Sequence, residues 1–126
     1  MPKILFADND PEMARTMARY LAWQGFSVES IDNPAELLDR LLGDSYDLLI
    51  YDIFMHGVDS YDFLRRIREH SDPGLKKMHI LVSTPEHPDR EEIVLGQRLR
   101  LYFINKFRHS GEWATRIKLI LGKELR

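Results

Sequence analysis

The sequence predicts an α/β domain in which five parallel strands form one doubly wound sheet, with five helices on its two faces. Three observations carry that prediction. Short apolar runs alternate five times with longer segments of helical spacing. The run over 47–53 is nearly continuous in apolar residues, as a strand covered on both faces requires. Four of the runs also end in polar residues of complementary chemistry, which suits the carboxyl-end crevice of an open parallel sheet.

The first strand is 3–7. Asp10 then stands as an N-cap before Pro11 at the first helical position. Met13, Met17, Tyr20, Leu21 and Gln24 trace one face of that helix, and Gly25 ends it. Residues 26–31 alternate apolar and polar side chains, as a strand partly exposed on one side would. Asn33-Pro34-Ala35-Glu36 reads as a cap, a first-turn proline and a capping-box acid, opening a second helix to about residue 42.

After the third strand, a loop through His56-Gly57 leads to a third helix marked by Phe63, Leu64 and Ile67. Lys76-Lys77 reads as solvated loop before a fourth strand that ends at Ser83. Pro85 and Pro88 punctuate the next loop, and a fourth helix covers 89–98. The fifth strand ends near Lys106. Ser110 reads as the cap of a fifth helix that ends near Gly122.

The 126 residues suit one domain, 1–126, and 44% hydrophobic with 30% charged residues is an ordinary globular composition. The absence of cysteine excludes disulfides, thiolate metal sites and thiol nucleophiles. No apolar stretch is long enough to span a bilayer and no signal-peptide pattern opens the chain, so a cytoplasmic protein without membrane contact is expected. Residues 1–62 hold 4 basic and 12 acidic side chains, whereas 97–126 hold 8 basic and 2 acidic. The acidic half suits a cation pocket. In the basic part, Trp113, Ile117, Ile120 and Leu121 recur at helical spacing, which reads as a packed helix rather than a nucleic-acid surface.

The polar strand ends are Asp8-Asn9-Asp10, Asp52, Ser83-Thr84 and Asn105-Lys106. At one sheet edge they would bring carboxylates, a hydroxyl and an ammonium together. Crowded carboxylates raise each other's pKa unless a cation joins them, so the set describes an acidic metal pocket beside a phosphate-binding lysine.

This pattern resembles the receiver domain of two-component response regulators, a flavodoxin-like (βα)5 fold, over nearly the whole chain. Asp8-Asn9 falls on the family's acidic pair, Asp52 within 46–55 on the phosphoacceptor, Ser83 on the hydroxyl and Lys106 on the lysine. The stretch 59–68 is similar to the family's third helix. The resemblance implies that Asp52 takes a phosphoryl group from a phosphohistidine on a histidine kinase or phosphotransfer protein. It implies Mg²⁺ held by Asp8, Asn9, Asp52 and the carbonyl of Phe54, with Ser83 and Lys106 on phosphoryl oxygens. In such domains an aromatic on the fifth strand turns inward, remodelling the face of the fourth helix, fifth strand and fifth helix. Phe103 matches its spacing best, and Tyr102 is the other candidate.

Five positions depart from the family pattern. Asn9 replaces the second acid and brings no charge, so weak Mg²⁺ binding is expected. His56 stands in place of proline and is expected at the rim of the pocket, titrating near neutral pH. Thr84 replaces a small residue, Phe107 a proline, and Arg98-Leu-Arg-Leu101 a Gly-Ala step. These departures keep open a receiver fold that docks a partner without phosphorylation. A haloacid-dehalogenase-type phosphatase using Asp8 and Asp10 is a third reading, but 107–126 holds no Asp for its further acidic motif. The expectation is a stand-alone, non-enzymatic signalling domain, a monomer or weak homodimer, whose output is protein–protein contact without direct nucleic-acid binding.

Overall fold

The computed structural model describes residues 2–124. Five strands form one parallel sheet in the order β2-β1-β3-β4-β5: β1 (Lys3–Ala7), β2 (Ser27–Ile31), β3 (Leu48–Asp52), β4 (His79–Thr84) and β5 (Leu101–Asn105). Among the described residues six helices lie around it rather than the expected five. They are α1 (Pro11–Trp23), α2 (Leu37–Gly43), α3 (Ser60–Glu69), α4 (Pro73–Lys77), α5 (Arg90–Leu99) and α6 (Ser110–Glu124).

The addition is α4, a short helix between α3 and β4. Asp72 caps it by accepting from the Gly74 N–H at 2.7 Å, and Pro73 takes the first helical position. Lys76 and Lys77 therefore sit in a helical last turn, not in a loop. The second helix begins as a 3-10 turn over Pro34–Glu36, with Asn33 capping the Ala35 N–H at 3.0 Å. Ser110 lies inside α6. The cap falls to His109, whose Nδ1 accepts from the Gly111 N–H at 3.0 Å.

The pleat of the buried strands divides the core in two. Ile4, Phe6, Leu48, Ile50, Leu81 and Ile104 point to one face, where Met17 and Leu21 of α1 and Trp113, Ile117 and Leu121 of α6 cover them. Leu5, Leu49, Tyr51, Ile80 and Val82 point to the other, beneath Leu37, Leu41, Phe63, Ile67, Leu75 and Leu99. The β3 strand is buried along its whole length, as its apolar run requires.

Arg68 of α3 ties the α4 and α5 ends together. Its guanidinium donates to the carbonyls of Leu99 and Met78 at 2.7 Å and of Leu75 and Arg100 at 3.2 Å. Helix C-termini expose unpaired carbonyls, and a half-buried cation satisfies several at once.

Candidate functional site

The register places the site at the carboxyl edge of the sheet. Asp52 on β3 pairs with Ser83 on β4, and Thr84 pairs with Asn105 on β5. Asp8 follows β1, the other neighbour of β3. Asp8, Asp52 and Ser83 are almost wholly buried, although charged residues are seldom buried unless paired.

The pairing cation is Lys106. Its Nζ lies 3.1 Å from Asp8 Oδ2 and 3.6 Å from Asp52 Oδ2. Asp8 Oδ1 also accepts from the Asp10 N–H at 2.9 Å. Burial holds the Asp8 carboxyl above its ordinary value, reinforced by the charge of Asp52. The Asp10 N–H and Lys106 oppose that shift without cancelling it. Asp52 accepts from the Phe54 N–H at 3.0 Å through Oδ1 and from the Asn9 N–H at 3.4 Å through Oδ2.

Five of the expected residues therefore meet: Asp8, Asn9, Asp52, Phe54 and Lys106. The side-chain amide nitrogen of Asn9 lies 2.6 Å from the Phe54 carbonyl oxygen, so that bond closes the gap between the ends of β1 and β3. Ser83 is adjacent in register, and its buried hydroxyl has no hydrogen-bond partner among the described residues. An orphan hydroxyl beside a buried carboxylate can serve an incoming oxygen.

The donor set can be tested against a metal. Among the described residues no three His, Asp or Glu side chains gather into a metal site. Two buried carboxylates and a carbonyl are hard oxygen donors, too few for a closed cage. Mg²⁺ keeps several waters and accepts such a partial set, so the residues present fit it.

Other residues lie where the sequence did not place them. His56 is not at the pocket rim. Its ring stacks on Phe63 with centroids 4.1 Å apart, Nδ1 lies 2.6 Å from the Tyr51 hydroxyl, and Nε2 lies 3.2 Å from the Pro34 carbonyl. The carbonyl can only accept, so Nε2 carries the proton and Nδ1 accepts from tyrosine. Burial lowers the pKa of this ring below its ordinary 6.5. Asp10 turns to α1, accepting from the Glu12 N–H at 3.0 Å as its N-cap. Thr84 Oγ1 donates to the Glu86 carbonyl at 2.8 Å.

The two strand-five aromatics separate to opposite faces. Tyr102 packs toward the α1–α6 side, near the His79 ring, and Phe103 toward α5. A groove of about 810 Å³ runs between α5, β5 and α6, lined by Phe103, Ile93, Leu119, His87, Pro88 and Arg116.

Residues 4–108 match the response regulator receiver domain family. The chain belongs to that family. The chain is 38% identical over 80 residues to the response regulator receiver protein CpdR of Brucella abortus, covering 64% of this chain and 66% of that protein. It is 33% identical over 124 residues to the CpxR homolog of Haemophilus influenzae, a transcriptional regulatory protein, covering 98% of this chain and 52% of that one. The chain thus spans between half and two thirds of the length of these relatives. Among solved structures it is similar to the chemotaxis protein CheY4 of Vibrio cholerae, with a TM-score of 0.82 at 21% identity over 95% of this chain and 98% of that one. A two-component response regulator from Clostridium difficile gives 0.83 at 20% identity, covering 98% of both chains. At these identities the structures speak for the fold alone. This is a receiver domain of the two-component response regulators, a signalling fold; membership sets aside the phosphatase reading, and among the described residues no helix is long and apolar enough to cross a membrane.

Proposed function

We propose that this receiver domain accepts a phosphoryl group on Asp52 from the phosphohistidine of a sensor kinase or phosphotransfer protein, and signals by contact with a downstream protein. The observation that carries the reading is the buried Asp52 carboxylate between the Lys106 ammonium and the partnerless Ser83 hydroxyl.

An Asp52 carboxylate oxygen attacks phosphorus as the bond to the donor imidazole nitrogen breaks. The electron pair leaves with the imidazole, and an acyl phosphate remains. Such transfer depends on positioning and on neutralising the negative oxygens. Lys106, held between two carboxylates, turns its charge to a phosphoryl oxygen, and Ser83 donates its hydroxyl to another. Asp8, Asp52 and the Phe54 carbonyl, with Asn9 at their edge, would hold Mg²⁺, which supplies charge screening. Phe103, next to the α5–β5–α6 groove, links the pocket to the surface offered to the partner.

The test is an amide NMR comparison of the wild type and Asp52→Asn with Mg²⁺ and beryllofluoride. The expected result is shifts at Ser83, Thr84 and Lys106 that extend to Phe103 and α5, absent from the variant. Identical spectra with and without the additions would contradict the reading and leave a receiver fold that docks its partner constitutively.

A further inference from the structure

We propose that Asn9 is a latch on the cation-binding edge of the phosphoacceptor pocket, its side-chain amide occupying the Phe54 carbonyl and so holding the affinity for Mg²⁺ low. The proposal rests on the reading of Asp8, Asp52 and that carbonyl as the metal-binding set.

The chemistry of the contact fixes its sense. A carbonyl oxygen only accepts, so at 2.6 Å the group facing it must be the amide nitrogen and not the amide oxygen. A carboxylate at position 9 in the same place would set two electron-rich oxygens against each other, an arrangement that holds only with a cation between them. An amide turns this repulsive pair into a bonded one that needs no cation. Asn9 supplies a second donor as well, its main-chain N–H, to Asp52 Oδ2 at 3.4 Å.

Most of the oxygens a cation would use are thus engaged by the chain itself. Asn9 holds the Phe54 carbonyl, the Asp10 and Phe54 N–H groups donate to Asp8 Oδ1 and Asp52 Oδ1, and Lys106 stands against both carboxylates. Asp8 Oδ2 has no hydrogen-bond partner among the described residues and keeps its place for a cation 3.1 Å from the Lys106 ammonium. Lys106 keeps a role in phosphoryl binding. Asn9 acts only through the ligand it covers, so it is a positioning residue. The contact is at the surface, where a hydrogen bond contributes modestly, and its release must cost a few-fold in affinity rather than abolish binding.

Isothermal titration of Mg²⁺ into the wild type, Asn9→Ala, Asn9→Asp and Asp52→Asn tests this, with circular dichroism to show each variant folded. The latch predicts that Asn9→Ala binds Mg²⁺ about two- to fivefold more tightly than the wild type, because the carbonyl is freed. Asn9→Asp gains roughly tenfold or more, since a charge is added as well. Equal or weaker binding by Asn9→Ala overturns the latch, equal binding showing that the contact is irrelevant and weaker binding that the amide oxygen is a ligand. If neither the wild type nor Asn9→Asp binds, and Asp52→Asn is indistinguishable from both, the metal-site reading itself fails and the latch with it.

Discussion

The ammonium of Lys106 stands 3.1 Å from the carboxylate of Asp8, although the two are 98 positions apart in the sequence. The two carry opposite consequences for stability. Asp8 is a buried carboxylate whose pKa is raised above its ordinary 3.8, chiefly by burial. Below 3.8 the folded and unfolded chains are both protonated there. Between 3.8 and the raised value the folded chain binds more protons, so this residue's contribution to stability falls as pH rises through that window.

Asp8→Asn is therefore expected to raise stability at pH 7 by about 1–2 kcal/mol, as removal of an incompletely compensated buried charge does. Lys106→Ala leaves two carboxylates without their cation and is expected to lower stability by about 1–3 kcal/mol. Urea denaturation of both variants checks the pair. A loss of stability in Asp8→Asn would show the carboxylate to be compensated already.

His56 gives the opposite pH dependence. Its pKa is lowered from 6.5 chiefly because the ring is buried against Phe63, with the charge of Arg66 adding to the shift. The unfolded chain takes up this proton first, so the ring's contribution to stability is whole above 6.5 and is lost as pH falls from there toward the lowered value. His56→Phe keeps the stack and has no proton to gain. Its unfolding free energy is expected to be less dependent on pH between 5 and 7, as urea titrations at several pH values would show. An unchanged slope would contradict the assignment.

Gly96 of α5 meets Phe103 face to face. A Cβ built at Gly96 lies 2.5 Å from Phe103 Cε2, closer than carbon atoms can stand. Gly96→Ala must push the ring aside, at a cost of about 1–3 kcal/mol for overpacking less the helix propensity gained. Thermal unfolding reads the cost, and the NMR signals of the Phe103 ring read the displacement. An unperturbed ring would contradict the contact.

Phe54 and Pro85 stand two residues after Asp52 and Ser83, and Phe54 is 55% exposed. Neither side chain can orient an attacking water, so a phosphoryl group on Asp52 is expected to hydrolyse slowly. Phe54→Gln supplies an amide that can position water and is expected to shorten the lifetime several-fold. A wild-type half-life of seconds would contradict this expectation.

The fold was legible because its determinants are local. The apolar runs of β1, β3 and β4, the alternation along β2 and the Asp10-Pro11 and Asn33-Pro34 starts are written in short stretches of sequence. Asp72-Pro73 is the same signal, hidden by the Gly74 that follows and by a helix of five residues that shows no periodicity. Asp8, Asp52, Ser83 and Lys106 were found because each ends an apolar run, and a parallel sheet brings such ends together. What Asn9 and His56 do was not legible. Their partners lie 45 residues away for the Asn9 side chain and 22 for His56 Nε2, and no spacing rule reaches that far.

Phosphorylation of Asp52 is read by intact-mass analysis after incubation with Mg²⁺ and a small-molecule phosphodonor. One phosphoryl group is expected on the wild type and none on Asp52→Asn. An unmodified wild type, or equal modification of both proteins, would contradict it.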